Sequence, residues 1–103
     1  MKKIIANRFL LVFIFISFGL ITYSQKHFKV LGFYTAKNDL AHISFVHEAN
    51  KWFEKTAKEN HFTYDSTNDW TKLNTATLAG YTVIVFFDTR PELPAQRAAF
   101  ENY

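Results

Sequence analysis

Between Gly80 and Pro91 an unbroken apolar run, Val83 to Phe87, ends abruptly in an acid, a hydroxyl and a base: Asp88, Thr89 and Arg90. A run without polar alternation predicts a buried central strand, covered by helices on both faces as in a parallel sheet. The segment His27 to Thr35 is dense in β-formers and is stopped by Ala-Lys-Asn-Asp, which predicts the first strand. From about Ala41 to Glu59 the period changes. Phe45, Ala49, Trp52, Phe53 and Thr56 recur at spacings of three and four, with Glu48, Lys51, Glu54, Lys55 and Lys58 between them, which predicts an amphipathic helix stopped at Asn60. Glu54 and Lys58 stand four apart in the favourable order for an exposed ion pair.

Phe62 to Ser66 alternates and predicts a second strand nearer the sheet edge, with Thr67 to Trp70 as its loop-like exit. Asn74 to Ala79 fits a short helix capped by Asn74 and ended by Gly80, and Pro94 starts a last helix through Phe100. Strand, helix, strand, short helix, strand, helix is the order of an α/β fold with a parallel sheet, incomplete at about three strands. The chain ends within its last helix, at Glu101-Asn102-Tyr103, which suggests the front part of a longer protein.

The N-terminal pattern is of another kind. Lys2, Lys3 and Arg8 precede a nearly unbroken apolar segment, Phe9 to Ile21, and Thr22-Tyr23-Ser24 places small residues three and one before a cut. The apolar core is shorter than the ~20 residues that span a bilayer. Residues 1–24 therefore read as a signal peptide cleaved before Gln25, residues 25–103 as one domain, and the protein as exported to the periplasm or the extracellular space. If cleavage fails, that segment is the one expected contact with a membrane.

Composition matters mainly through this segment. It holds three of the twelve basic residues, so nine remain against nine acids, and the sequence pI near 9.2 gives no support for a nucleic-acid partner. The 79 residues that remain are enough for one small domain, rich in aromatics and without repeats. With no cysteine, the chain has no disulfide, thiolate metal site, lipoprotein signal or cysteine nucleophile.

Candidate chemistry gathers at the carboxyl end of the third strand. In open parallel sheets ligands collect outside those strand ends, so Asp88, Thr89 and Arg90 are candidate substrate-binding residues. The plainer reading is that Asp88 and Thr89 form a turn or cap the next helix. His47-Glu48-Ala49-Asn50-Lys51 begins like a zinc-protease helix, but Lys51 stands where the second histidine must be, so no metal site is expected there. No nucleophile elbow, dinucleotide loop or phosphate-binding loop occurs, and no cofactor is indicated.

The pieces Lys29-Val30-Leu31-Gly32-Phe33-Tyr34, His42-Ile43-Ser44-Phe45, Tyr64-Asp65-Ser66-Thr67, Leu78 to Thr89 and Gln96 to Tyr103 follow the order seen in ThuA-like domains, and the chain resembles that family throughout residues 25–103. The resemblance implies a flavodoxin-like, three-layer sandwich related to class I glutamine amidotransferases, and a role in carbohydrate metabolism involving trehalose or a related glycoside or keto-sugar. It also implies that the family's glycine-rich strand and its following histidine-containing segment belong beyond Tyr103, so that this stretch alone is expected to be inactive.

By the same resemblance His42 matches the family's histidine-x-serine element and is the candidate catalytic residue, with Ser44 beside it as a substrate contact. Taken without the family, Ser44 reads as a helix cap and His42 as a loop residue. Arg90-Pro91 replaces the family's glycine-containing turn after the third strand, and Arg90 is suited to a carboxylate or to sugar hydroxyls. The alternative function is a non-catalytic module that binds carbohydrate or a protein through exposed Trp70 and Tyr64. A phosphoacceptor domain built on Asp88 conflicts with export.

Overall fold

The computed structural model describes residues 26–103. The signal segment read at residues 1–24 lies outside the described residues, and among those described no helix is long and apolar enough to cross a membrane. Three parallel strands carry the fold: β1 (Lys29–Phe33), β2 (Thr63–Thr67) and β3 (Val83–Phe86). Helix α1 (Leu40–Asn60) connects β1 to β2; a 3-10 turn (Trp70–Lys72) and helix α2 (Thr75–Leu78) connect β2 to β3; helix α3 (Pro94–Glu101) follows. The result is the expected α/β arrangement, an incomplete flavodoxin-like fold.

The order of the described strands is β2-β1-β3. Among the described strands β1 is central, with Val30 paired to Tyr64 on one side and to Val83 on the other, and β3 is at an edge with Val83 41% exposed. The apolar run of β3 supplies two apolar layers, as a strand covered on both faces does. Ile84 and Phe86 pack on the buried cluster Leu31, Phe33, Leu73 and Leu78, which the 3-10 turn, α2 and α3 cover. Phe87 goes to the opposite layer, against Phe45 and Phe53 of α1.

Asp39 caps α1, its carboxylate accepting from the His42 N–H, so the cap lies five residues before Ser44. His61 closes the helix in the left-handed region (φ 57), its N–H returning to the Ala57 carbonyl. The buried stripe of α1 is offset from the one its apolar residues predict. Val46 and Ala57 are buried and Ala49, Asn50 and Phe53 half-buried, whereas Phe45 and Trp52 are 53% and 60% exposed. Tyr64 occupies this stripe. Its hydroxyl donates to Asn50 Oδ1 at 2.6 Å and its ring stacks on Phe53 at 5.0 Å. Burial pushes the Tyr64 phenol up to about 12, so it remains a protonated donor. On the solvent side Lys51 pairs with Glu48 (3.0 Å) and Lys55 with Glu59 (3.8 Å), in place of the expected Glu54–Lys58 pair. Exposed pairs of this kind contribute at most about 1 kcal/mol.

Gly32 permits this packing. A Cβ there would lie 2.8 Å from the Phe87 ring and 2.9 Å from the Tyr64 hydroxyl, both held by other contacts. Gly32→Ala is expected to cost about 1–2 kcal/mol in urea-monitored unfolding. An unchanged midpoint would show that the Phe87 ring moves aside freely.

Candidate functional site

The strand order fixes where a site can form. The chain passes from β1 to one neighbour, β2, and later to the other, β3, so the connections diverge between β1 and β3. At such a reversal the loops after the two strands leave in opposite directions and open a crevice at the carboxyl ends. Tyr34, Thr35 and Ala36 enter it from β1; Phe87, Asp88, Thr89 and Arg90 enter it from β3.

Asp88 spans the crevice and accepts three hydrogen bonds from its other side. Its carboxylate accepts from the Thr35 N–H (2.8 Å), the Thr35 hydroxyl (2.7 Å) and the Ala36 N–H (2.7 Å). Burial opposes its ionisation, but these bonds and its own backbone N–H outweigh that effect and hold its pKa below the ordinary carboxylate value. Ala36, in the left-handed region at φ 52, is one of the two residues held by this carboxylate. Asp88 therefore sets the shape of the loop after β1.

His42 lies in the first turn of α1, and its Nδ1 is 2.9 Å from Asp39 Oδ1. With Ala41, Phe45, Phe87 and Asp88 it lines an open groove of about 380 Å³. Ser44 is exposed on the same helix and does not line this groove. Thr89 and Arg90 line a different cavity of about 230 Å³, together with Thr35, Trp70, Glu92, Leu93 and Gln96. The five sequence-predicted residues thus divide: His42 with Asp88, Thr89 with Arg90, and Ser44 apart. Thr35 joins the two sides, since it lines the Arg90 cavity and is held by the Asp88 that lines the His42 groove.

Trp70 and Tyr64 are half-buried, and their polar tips are occupied within the fold. Trp70 Nε1 donates to the Tyr34 carbonyl (3.0 Å), and its ring stacks on Phe86 at 5.9 Å. The large exposed aromatics are instead Phe45 and Trp52 on α1, with Phe28, Phe100 and Tyr103. Asp39, Glu92 and Gln96 were not singled out from sequence. The spacing Asp39-x-x-His42 is a legible capping signal for Asp39, whereas Glu92 and Gln96 reach their cavity only through the turn at Pro91. Gln96 is engaged structurally, its amide donating to the Trp70 carbonyl at 3.2 Å.

Among the described residues no group of three or more histidines, cysteines or acids is placed to hold a metal ion. His47 shares its helix face with the Lys51–Glu48 pair, and His27 is bonded to the Thr63 hydroxyl (2.7 Å).

Residues 29–103 match the model of the ThuA family, described as trehalose utilisation. The chain is also similar to a solved ThuA-like protein from Bacteroides uniformis ATCC 8492, with 34% sequence identity and a TM-score of 0.69 over 81% of this chain. It spans 35% of the length of that protein. A search among curated proteins finds no match.

Proposed function

Because the chain belongs to the ThuA family, we propose that it is an exported protein of carbohydrate metabolism that receives a sugar or keto-sugar, trehalose or a related glycoside, at the crevice between β1 and β3. The carrying observation is His42: an imidazole in an open groove at the strand reversal, with one ring nitrogen engaged by Asp39 and the other available to a ligand. In this reading His42 accepts a proton from the sugar or ligates it. Arg90 meets hydroxyls or a carboxylate from the neighbouring cavity, and Asp88 holds the loop between them in shape. Export is supported by the basic start, the short apolar core and the small residues before Gln25.

A second reading rests on the Trp70–Arg90 cavity. At about 230 Å³, with a tryptophan, two threonines, an arginine and a glutamate in its wall, it suits one sugar ring bound without chemistry. Calorimetric titration of the chain with trehalose separates the two. Loss of about tenfold in affinity is expected in His42→Ala, equivalent to roughly 1.4 kcal/mol. Unchanged affinity in His42→Ala with loss in Arg90→Ala would move the site to the Trp70 cavity. Arg90 is exposed and makes no ion pair among the described residues, so its removal leaves the fold intact.

A further inference from the structure

We infer that Asp39 is a positioning residue for His42: it holds the imidazole as the Nδ1–H tautomer and leaves Nε2 as a lone-pair acceptor for a ligand in the groove beside Phe87 and Asp88. The inference deepens the reading above and rests on it for the identity of the ligand.

One carboxylate oxygen, Asp39 Oδ1, faces both the His42 backbone N–H (3.0 Å) and His42 Nδ1 (2.9 Å). Asp39 is an ionised acceptor, its pKa held below the ordinary value first by the His42 backbone N–H and then by the ring. An ionised carboxylate has no proton to give, so a bond to Nδ1 requires the proton to be on the ring nitrogen. In neutral imidazole the other nitrogen is then the acceptor. Asp39 and His42 occupy the cap and the first turn of the same helix, so the pair is fixed locally and needs no other element to align it.

The consequence is chemical. When Nε2 takes a proton from a ligand hydroxyl, the O–H bond breaks, its electron pair stays on oxygen, and an N–H bond forms. The resulting imidazolium keeps its Nδ1 proton on the Asp39 carboxylate, which balances the new charge. Asp88, the other acid lining the groove, is occupied by Thr35 and Ala36 and does not compete for the ring.

The ring tautomer is read directly from long-range ¹⁵N–¹H spectra of His42 in the ligand-free chain. Free imidazole favours Nε2–H, so the wild type is expected to show the Nδ1–H fraction raised clearly above that of a free histidine side chain. Asp39→Ser preserves a helix-capping oxygen but is too short to reach the ring, and it is expected to shift the tautomer ratio toward Nε2–H by up to about fivefold, the range of an exposed pair. Asp39→Asn, an equally good cap, serves if the serine variant unfolds, and a smaller shift in the same direction is expected. A wild-type ratio equal to that of a free histidine side chain overturns the inference, and so does a folded Asp39→Ser chain with an unchanged ratio. Because no ligand is present, this result is independent of the trehalose titration: the tautomer can hold while the sugar reading fails, and the reverse.

Discussion

Asp88→Ala is expected to lower unfolding stability by about 3 kcal/mol, as the variant strips the Thr35 and Ala36 N–H groups of their acceptor in a half-buried crevice. The Thr35 hydroxyl loses its partner in the same step. Asp88→Asn, which keeps the shape and one acceptor oxygen, should lose about half as much. Urea unfolding measures both, and amide hydrogen exchange at Thr35 and Ala36 localises the cause, since those two amides should exchange faster in the alanine variant than the rest of the sheet. A change below about 0.5 kcal/mol would show that water replaces the carboxylate without cost and that the clasp is incidental.

The same contact predicts a pH dependence. Asp88 has a folded pKa below its unfolded one, so its contribution is present above the unfolded value and is lost as pH falls through the folded value. Wild-type stability should therefore decline below about pH 4, and Asp88→Ala should flatten that decline. Asp39 and Asp69 contribute to the slope that remains. Both are held low by hydrogen bonds at helix starts, Asp39 chiefly by the His42 backbone N–H and Asp69 chiefly by the Thr71 hydroxyl, but both are solvent-exposed and weaker contributors.

Elements written in local chemistry were legible before the structure. Asn74 caps α2 by accepting from the Thr77 N–H at 2.9 Å, and Pro94 opens α3. Each needs only neighbours within a turn, which is what a sequence displays. The errors arose where a distant partner decides. Asn50 lies on the inner face, where Tyr64, fourteen residues away, bonds to it, while Phe45 and Trp52 are 53% and 60% exposed despite their apolar character. Trp70 read as an exposed loop residue, yet it starts a 3-10 turn, and its indole reaches back to the Tyr34 carbonyl across thirty-six residues. The all-apolar run of β3 records its two covered faces, Ile84 and Phe86 on one and Phe87 on the other, and says nothing of how many strands lie beside it.

The candidate site was legible by half. The strand-end rule identifies Asp88, Thr89 and Arg90, and the reversal between β1 and β3 explains why that end matters. The division of these residues between two cavities depends on which side of the Thr35–Asp88 clasp each backbone leaves. No spacing in the sequence encodes that. Asp39 is the instructive case, because the cap read at Ser44 lies at Asp39 instead, and its hold on the His42 ring follows only when helix geometry brings Nδ1 to the oxygen that already accepts the backbone N–H.

The largest effect is expected at Phe33, which is fully buried at the end of β1 between Trp70 (5.3 Å) and Phe86 (5.9 Å). Phe33→Ala should cost about 3–5 kcal/mol, the lost transfer energy of the ring plus the cavity it leaves. A domain of this size has a total stability near the lower end of about 5–15 kcal/mol, so the variant should be largely unfolded at 37 °C. Phe33→Leu, which refills most of the volume, should cost less than about 2 kcal/mol and remain folded. The site is coupled to this residue through the backbone. Phe33 O accepts from the Phe87 N–H at 3.1 Å, and the next carbonyl, Tyr34 O, holds the Trp70 indole, so a void at Phe33 loosens both walls of the crevice. Trp70 fluorescence in a Trp52→Phe background isolates that wall, because Trp52 and Trp70 are the two tryptophans of the chain. A red shift in the Phe33→Leu variant, before any loss of helical circular dichroism, would mark loosening of the crevice ahead of unfolding. Full stability in Phe33→Ala would mean that Trp70 and Phe86 collapse onto the void, and that the crevice is shaped by the Asp88 clasp alone.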